Sequence, residues 1–238
     1  MRTSSVNCDQ LVEIQQLQNC STMSKTIALF IRHPECSQDC CEGMIAALSQ
    51  GYRIRLFSVD EVNLKTLSQA DMVAFPGGIG DASAYDKFFR RQAQNAVADY
   101  VSQGGRYLGI CMGAYWAGSY YFDILDGVDA VQYIRRPNSD VRRPYSTVTK
   151  VEWQGHTQNM FFYDGCALIG DNRRFQTVAT YANGDAMAII QNRIGLIGCH
   201  PESQLHWYQT PRQYISQYWH HGRHHELLAK FVDQLMET

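Results

Sequence analysis

The stretch Arg106-Tyr107-Leu108-Gly109-Ile110-Cys111-Met112-Gly113-Ala114-Tyr115-Trp116-Ala117-Gly118 decides how this chain folds. Its first five residues suit a buried strand, and the small residues after Gly113 suit a helix start. Cys111 stands on the sharp turn between them. A nucleophile on such a turn takes a strained backbone, and small neighbours two residues either side, here Gly109 and Gly113, let the turn close. The helix N-terminus favours the thiolate, the reactive form of cysteine. About ninety residues on, a second apolar strand, Ile194-Gly195-Leu196-Ile197-Gly198, runs into His200-Pro201-Glu202. A base and a carboxylate two residues apart at a strand end complete a Cys111-His200-Glu202 arrangement: nucleophile, general base and orienting group.

Upstream of this stretch, strands and helices alternate. Thr26-Ile27-Ala28-Leu29-Phe30-Ile31 reads as the first strand. A helix is expected over residues 40–50, closed by Gly51 at the C′ position. Strands follow over 54–59 and 71–75, the second ending in Pro76-Gly77-Gly78. A long helix is expected over 84–103, with Phe88, Phe89, Ala93, Val97, Tyr100 and Val101 sharing one face. This alternation predicts an α/β fold with a mostly parallel sheet and helices on both faces. Ligands of such sheets bind beyond the carboxyl ends of the strands. The Gly77-Gly78 loop, the Cys111 elbow and His200 all follow strands, so they should meet at that edge. Downstream, residues 148–153, 160–163, 177–181 and 186–190 read as short strands, and Asn183-Gly184 is a hairpin signal. They predict an antiparallel β extension that returns to the main sheet at Ile194. Residues 224–236 form an amphipathic helix with Leu227, Leu228, Phe231 and Leu235 inward.

Composition narrows the classes. The chain has 238 residues, 45% hydrophobic and 18% charged, with a formal net charge of −2. That is an ordinary globular mix with no electrostatic case for nucleic acid or an anionic membrane. No apolar run approaches bilayer length. The eight cysteines are scattered, and Cys111 and Cys199 fall in or beside core strands, so a reduced, cytoplasmic protein is expected. Residues 1–25 are a polar leader. It reads either as a disordered tail or as an upstream extension of a protein that starts at Met23. Residues 26–238 read as a single domain.

Phe75-Pro76-Gly77-Gly78, the string from Gly104 to Tyr115 and His200-Pro201-Glu202 resemble the class I glutamine amidotransferase-like superfamily. Within it, the chain is similar to the N-terminal domain family of biotin–protein ligases, including its stand-alone bacterial type. The resemblance implies a flavodoxin-like fold from about Thr26 onward. It implies Cys111 as nucleophile, His200 as base and Glu202 as its orienter. It also implies an oxyanion hole made by the N–H groups of Met112 and of Gly77 or Gly78. Backbone donors suit that role because they are fixed before charge develops. Asp81 and Tyr115 are the candidate substrate contacts. The chain departs from the family in Met112, where a smaller residue is common, and in lacking the further motifs that hold glutamine's α-amino and α-carboxyl groups. It carries no biotinyl-adenylate loop, which argues against biotin transfer by this chain. Two functions are therefore carried forward. One is a cysteine-dependent amidase or glutaminase-like hydrolase working through a thioester on a small-molecule amide, without a cofactor or metal. The other is a non-catalytic ligand-binding or regulatory module, with a partner protein that the sequence does not identify. A peptidase or γ-glutamyl hydrolase relative is a weaker third.

Four further groups invite chemistry, each with a plainer reading. His220, His221, His224 and His225 have metal-ligand spacing on a helix, but Gly222 interrupts it, and a solvated helix start is expected. Cys36, Cys40 and Cys41 read as core or loop thiols. The aromatic segment from Trp207 to Trp219 reads equally as a ligand wall or as packing. Arg135, Arg136, Arg142 and Arg143 read as a solvated basic loop.

Overall fold

The computed structural model describes residues 24–31, 37–78, 91–209 and 213–238. Strands β1 (Thr26–Phe30), β2 (Arg53–Phe57), β3 (Met72–Phe75) and β4 (Arg106–Ile110) form a parallel set in the order β2-β1-β3-β4. Between them lie helices α1 (Gln38–Leu48), α2 (Leu64–Leu67) and α3 (Arg91–Ser102), and the short α4 (Met112–Trp116) follows β4. The chain then runs through β5 (Val128–Gln132), β6 (Thr147–Trp153), β7 (His156–Phe162), β8 (Cys166–Gly170), β9 (Gln176–Tyr181) and β10 (Ala186–Gln191). It re-enters the parallel set as β11 (Ile194–Ile197), beside β4. The short α5 (Leu205–Tyr208) and the long α6 (Arg223–Met236) close the fold.

Alternating side chains divide the parallel strands between two cores, as the two-residue period of a strand requires. Ile27, Leu29, Met72, Ala74, Leu108 and Ile110 face α1 and α6. Ala28, Phe30, Val73, Phe75 and Tyr107 face α2 and α3. Phe75 stacks on Tyr107 with centroids 5.3 Å apart and meets Phe30, Trp116 and Phe122 edge-on or tilted. Helix α6 packs so closely on β11 that a Cβ at Gly195 would lie 2.7 Å from Phe231 and Leu235.

The expected order of elements holds, with three differences. Helix α1 starts at Gln38, capped by the Ser37 side chain, and stops at Leu48 rather than at residue 50. Gly51 is not left-handed. The Leu48 carbonyl accepts from both Gly51 N and Tyr52 N, so a right-handed turn through Ser49 ends the helix without a glycine cap. Strand β7 begins at His156, before the apolar run, because its polar first half pairs fully with β6. Strands β5 and β8, which pair with each other, had no clear signal: β5 mixes Asp129 and Gln132 with apolar residues and is only half-buried. The leader, and the first part of the helix expected over 84–103 with Phe88 and Phe89, lie outside the described residues. Among the described residues, no helix is long and apolar enough to cross a membrane.

Candidate active site

Three strand ends meet at one edge of the sheet. Ile197 pairs with Ile110, and Phe75 pairs with Gly109. Past these pairs, Cys111 N donates to the Ile197 carbonyl at 2.8 Å, and Gly113 N to the Pro76 carbonyl at 3.2 Å. The sequence expectation that these loops converge is met.

Cys111 has φ 50° and ψ −105°. A residue with a side chain adopts that conformation only where its surroundings enforce it. The glycines supply the enforcement. A Cβ on Gly109 would collide with the Gly113 carbonyl, and one on Gly113 with the Phe75 carbonyl. Gly109-Ile110-Cys111-Met112-Gly113 is thus a turn in which backbone packs on backbone. Helix α4 has only five residues, so it supplies less macrodipole than the sequence reading assumed. Met112 is its first residue, and its N–H precedes any intrahelical partner. Cys111 is 5% exposed, and its Sγ lies 3.6 Å from the Tyr163 carbonyl.

His200 and Glu202 follow β11. His200 N donates to the Phe161 carbonyl at 3.0 Å, which anchors the loop to β7. His200 Nδ1 lies 2.8 Å from Glu202 Oε1, with both side chains buried. Burial alone would push the His200 imidazole down. The Glu202 carboxylate, and then the charge of and hydrogen bond to Cys111, outweigh it, so the imidazole is held well above its ordinary value. Cys111 and Glu202 therefore both act on the one ring. Gly77 presses on that ring, because a Cβ there would lie 2.7 Å from His200 Cε1 and 2.9 Å from Cys40 Sγ. Behind Glu202 stands Gly43 of α1, where a Cβ would run into the Glu202 carbonyl oxygen.

Sequence reasoning missed Cys40 as part of this site. It is buried in the first turn of α1, with Sγ 4.0 Å from His200 Nδ1. Burial pushes its thiol up, against the opposing pull of His200. No spacing rule links Cys40 to His200. Only the packing of α1 on the strand ends joins them.

Next to His200 lies a cavity of about 430 Å³, lined among others by Cys40, Gly78, Phe161, Tyr163, His206 and Trp207. Trp207 is therefore both wall and packing, since it also meets Phe161 at 5.1 Å and His200 at 5.6 Å between centroids. Tyr115 lies apart from this cavity, its hydroxyl 3.3 Å from the Asp164 carbonyl. Asp81 lies outside the described residues.

The histidine cluster differs from its expectation. His220 and His224 are 1% and 2% exposed, not solvated, and α6 begins only at Arg223. His220 Nδ1 accepts from Gly222 N at 3.2 Å and His224 N at 3.3 Å, which caps the helix. That fixes the proton on Nε2, which donates to the Ser203 carbonyl at 3.0 Å. His225 Nε2 lies 3.0 Å from the same oxygen. The cluster ties α6 to the residue that follows Glu202. In the basic loop, Arg136 pairs with Asp185 at 2.7 Å.

Comparison with known proteins bears on the fold. Residues 32–130 match the family described as biotin-protein ligase, N terminal. A glutamine amidotransferase from Thermotoga maritima superposes with a TM-score of 0.64 at 13% identity, over 91% of this chain and 100% of that one. A second glutamine amidotransferase gives 0.59 at 14%, over 89% and 99%. A glutamine amido transferase from Methylobacillus flagellatus gives 0.55 at 11%, over 91% and 94%. No curated protein matches by sequence. The ligase N-terminal family thus matches a part of the chain that is under half its length, and the solved structures share its α/β fold.

Proposed function

We propose that this chain is a cysteine-dependent amide hydrolase that works through a thioester. The observation that carries the reading is the enforced backbone of Cys111 beside an imidazole whose other nitrogen is held by Glu202 at 2.8 Å. In this reading, the Cys111 sulfur attacks the amide carbon and the oxygen becomes an oxyanion facing the N–H groups of Met112 and of Gly77 or Gly78. His200 gives its proton to the leaving amine as the C–N bond breaks. Water then attacks the thioester, His200 takes the proton, and a carboxylate leaves with the thiol restored. Glu202 keeps the ring oriented and stabilises its charged form. A small-molecule amide is the substrate class that the 430 Å³ cavity suits. The described cysteines are free, as a reduced cytoplasmic setting would keep them.

A second reading is a ligand-binding module on the same scaffold. It is favoured by the match to the ligase N-terminal family and by the cover that the Tyr163 carbonyl gives Cys111. Electrophile labelling with mass spectrometry separates the two. Under the hydrolase reading, iodoacetamide labels Cys111 first, and Cys111→Ser abolishes hydrolysis of glutamine and simple amides while preserving the fold. Fast labelling without hydrolysis favours the module, and labelling no faster than at Cys199 removes the basis for an enzyme.

A further inference from the structure

Cys40 is the buried nucleophilic group that the hydrolase chemistry leaves unused, and its position gives it a second chemistry. Cys40 Sγ, a ring nitrogen of His200 and a carboxylate oxygen of Glu202 all lie within 4.8 Å of one another. A soft thiolate, an imidazole and a carboxylate are the donor types that zinc takes, at about 2.0–2.3 Å each. A second observation points the same way. Glu202 is fully buried, yet its Oε2 has no hydrogen-bond partner among the described residues. A buried carboxylate oxygen without a donor is costly, and a cation would relieve it.

We infer that Cys40, His200 and Glu202 form a binding site for a zinc-type divalent cation, which holds the proposed base in an inactive form. The ion takes the place of the proton that His200 Nδ1 shares with Glu202. Tetrahedral geometry asks the ligating carboxylate oxygen to stand about 3.3 Å from Nδ1, wider than the present 2.8 Å of Nδ1···Oε1, so the carboxylate turns to bring Oε2 to the ion, and the Nδ1···Sγ separation closes from 4.0 Å to about 3.5 Å. The Cys40 thiol loses its proton to solvent and becomes the thiolate ligand. The remaining imidazole proton sits on Nε2, so the ring is neutral and offers Cys111 no lone pair. The fourth position is left for water from the adjoining cavity, which also gives the ion its way in. The inhibitory consequence rests on the hydrolase reading, whereas the binding does not.

The test uses the full chain, freed of metal and kept reduced, titrated with Co²⁺ and Zn²⁺ alone. Wild type is expected to bind one ion and to show the near-ultraviolet thiolate-to-cobalt charge-transfer band. Cys40→Ser is expected to lose that band and to bind Zn²⁺ more than ~100-fold more weakly, a ligand loss exceeding the roughly 10–100-fold that outer-shell changes cost. Cys111→Ser and His224→Phe are expected to keep both. If Cys40→Ser fails to fold, Zn²⁺ protection of Cys40 from alkylation in wild type, read by mass spectrometry, gives the same answer. A band that survives in Cys40→Ser, or is lost in Cys111→Ser, overturns the site. So does alkylation of Cys40 at an unchanged rate with Zn²⁺ present. None of these readouts requires turnover, so failure of the hydrolase reading is seen separately, in the labelling and hydrolysis of Cys111.

Discussion

His200 and His220 are both buried and stand twenty residues apart, yet the fold treats them in opposite ways. His200 faces the Glu202 carboxylate and is held well above its ordinary value despite burial. His220 faces backbone: two N–H groups on Nδ1 and the Ser203 carbonyl beyond Nε2. Burial, with no carboxylate to offset it, pushes His220 down to about 4 and its stacked neighbour His224 to about 3. Burial favours the neutral ring, and one buried anion reverses that preference. The same residue type thus supplies a ring whose charged form is favoured at the strand end and a ring whose neutral form is favoured as a helix cap beside it. Serving as a cap requires the ring to stay neutral, because a protonated Nδ1 cannot accept from the helix.

The surroundings differ as sharply as the charge. The glycines of the strand-end site leave no room for a side chain, while the glycine at the helix start has open space around it. The largest expected effect follows. Gly43→Ala drives a Cβ into the Glu202 carbonyl, and α1 or the His200 loop must move. A loss of about 3 kcal/mol is expected in urea unfolding, at the upper end for overpacking. A loss below about 1 kcal/mol would mean that the loop yields easily and that the pairing of His200 with Glu202 is not sterically enforced.

Next comes the carboxylate itself. Glu202→Gln keeps the shape and removes the charge, which makes the His200 site electrically like the His220 site. Iodoacetamide labelling of Cys111 is expected to slow by about 10²-fold, with the melting temperature changed far less, as for loss of an orienting charge. An unchanged labelling rate would show that His200 does not act on Cys111 through Glu202.

The contrast also explains what the sequence made legible. The glycine spacing around Cys111 and the His200-Pro201-Glu202 run are local patterns, and each has a local physical cause: a turn that only glycine closes, and a pair that shares one ring. They located the elbow, the paired His200 and Glu202 at the neighbouring strand end and the parallel strands. Cys40 and the capping role of His220 were not legible. Cys40 reaches His200 across 160 residues through helix packing, and His220 sits before α6 rather than on it. The spacing rule for histidines assumes one continuous helix. The chain breaks that helix at Gly222 and folds His220 back onto His224. Strand β5 escaped because it is only half-buried and carries Asp129 and Gln132 among its apolar residues, and β8, its partner, is a short run of five residues.

The histidine cluster gives a smaller, pH-dependent effect. In the unfolded chain, both rings take up protons near pH 6.5, but in the folded chain only near 4 and 3. Between these values the unfolded state holds more protons, so stability rises with pH. The contribution is complete above about pH 6.5 and is lost as pH falls through that window. Arg223 and His225 press in the same direction on both rings. His224 Nδ1 has no partner among the described residues, so His224→Phe removes a proton site without removing a hydrogen bond at that atom. The variant is expected to lose on the order of 2 kcal/mol less than wild type between pH 7 and pH 4.5 in urea titrations. Parallel pH curves would mean that His224 is protonated in the folded state.

The smallest effect belongs to Gly222, and it separates space from conformation. No atom lies within 4 Å of a Cβ placed there, so nothing is overpacked. Its φ of 87° nevertheless lies where a side chain is strained, and it is the N-cap of α6. Gly222→Ala carries that backbone strain and gains back part of it from a less flexible unfolded chain. A net loss of about 1 kcal/mol is expected in urea unfolding. Gly43→Ala and Gly222→Ala differ by one methyl group each, so the gap between them measures how much more tightly the strand-end site is packed. Because, among the described residues, Gly222 is linked to the Cys111 site through His220 and Ser203, Cys111 labelling in Gly222→Ala should match wild type. Slower labelling there would show that the cap holds His200 and Glu202 in register as well as holding the helix, and would join the two histidine sites into one unit.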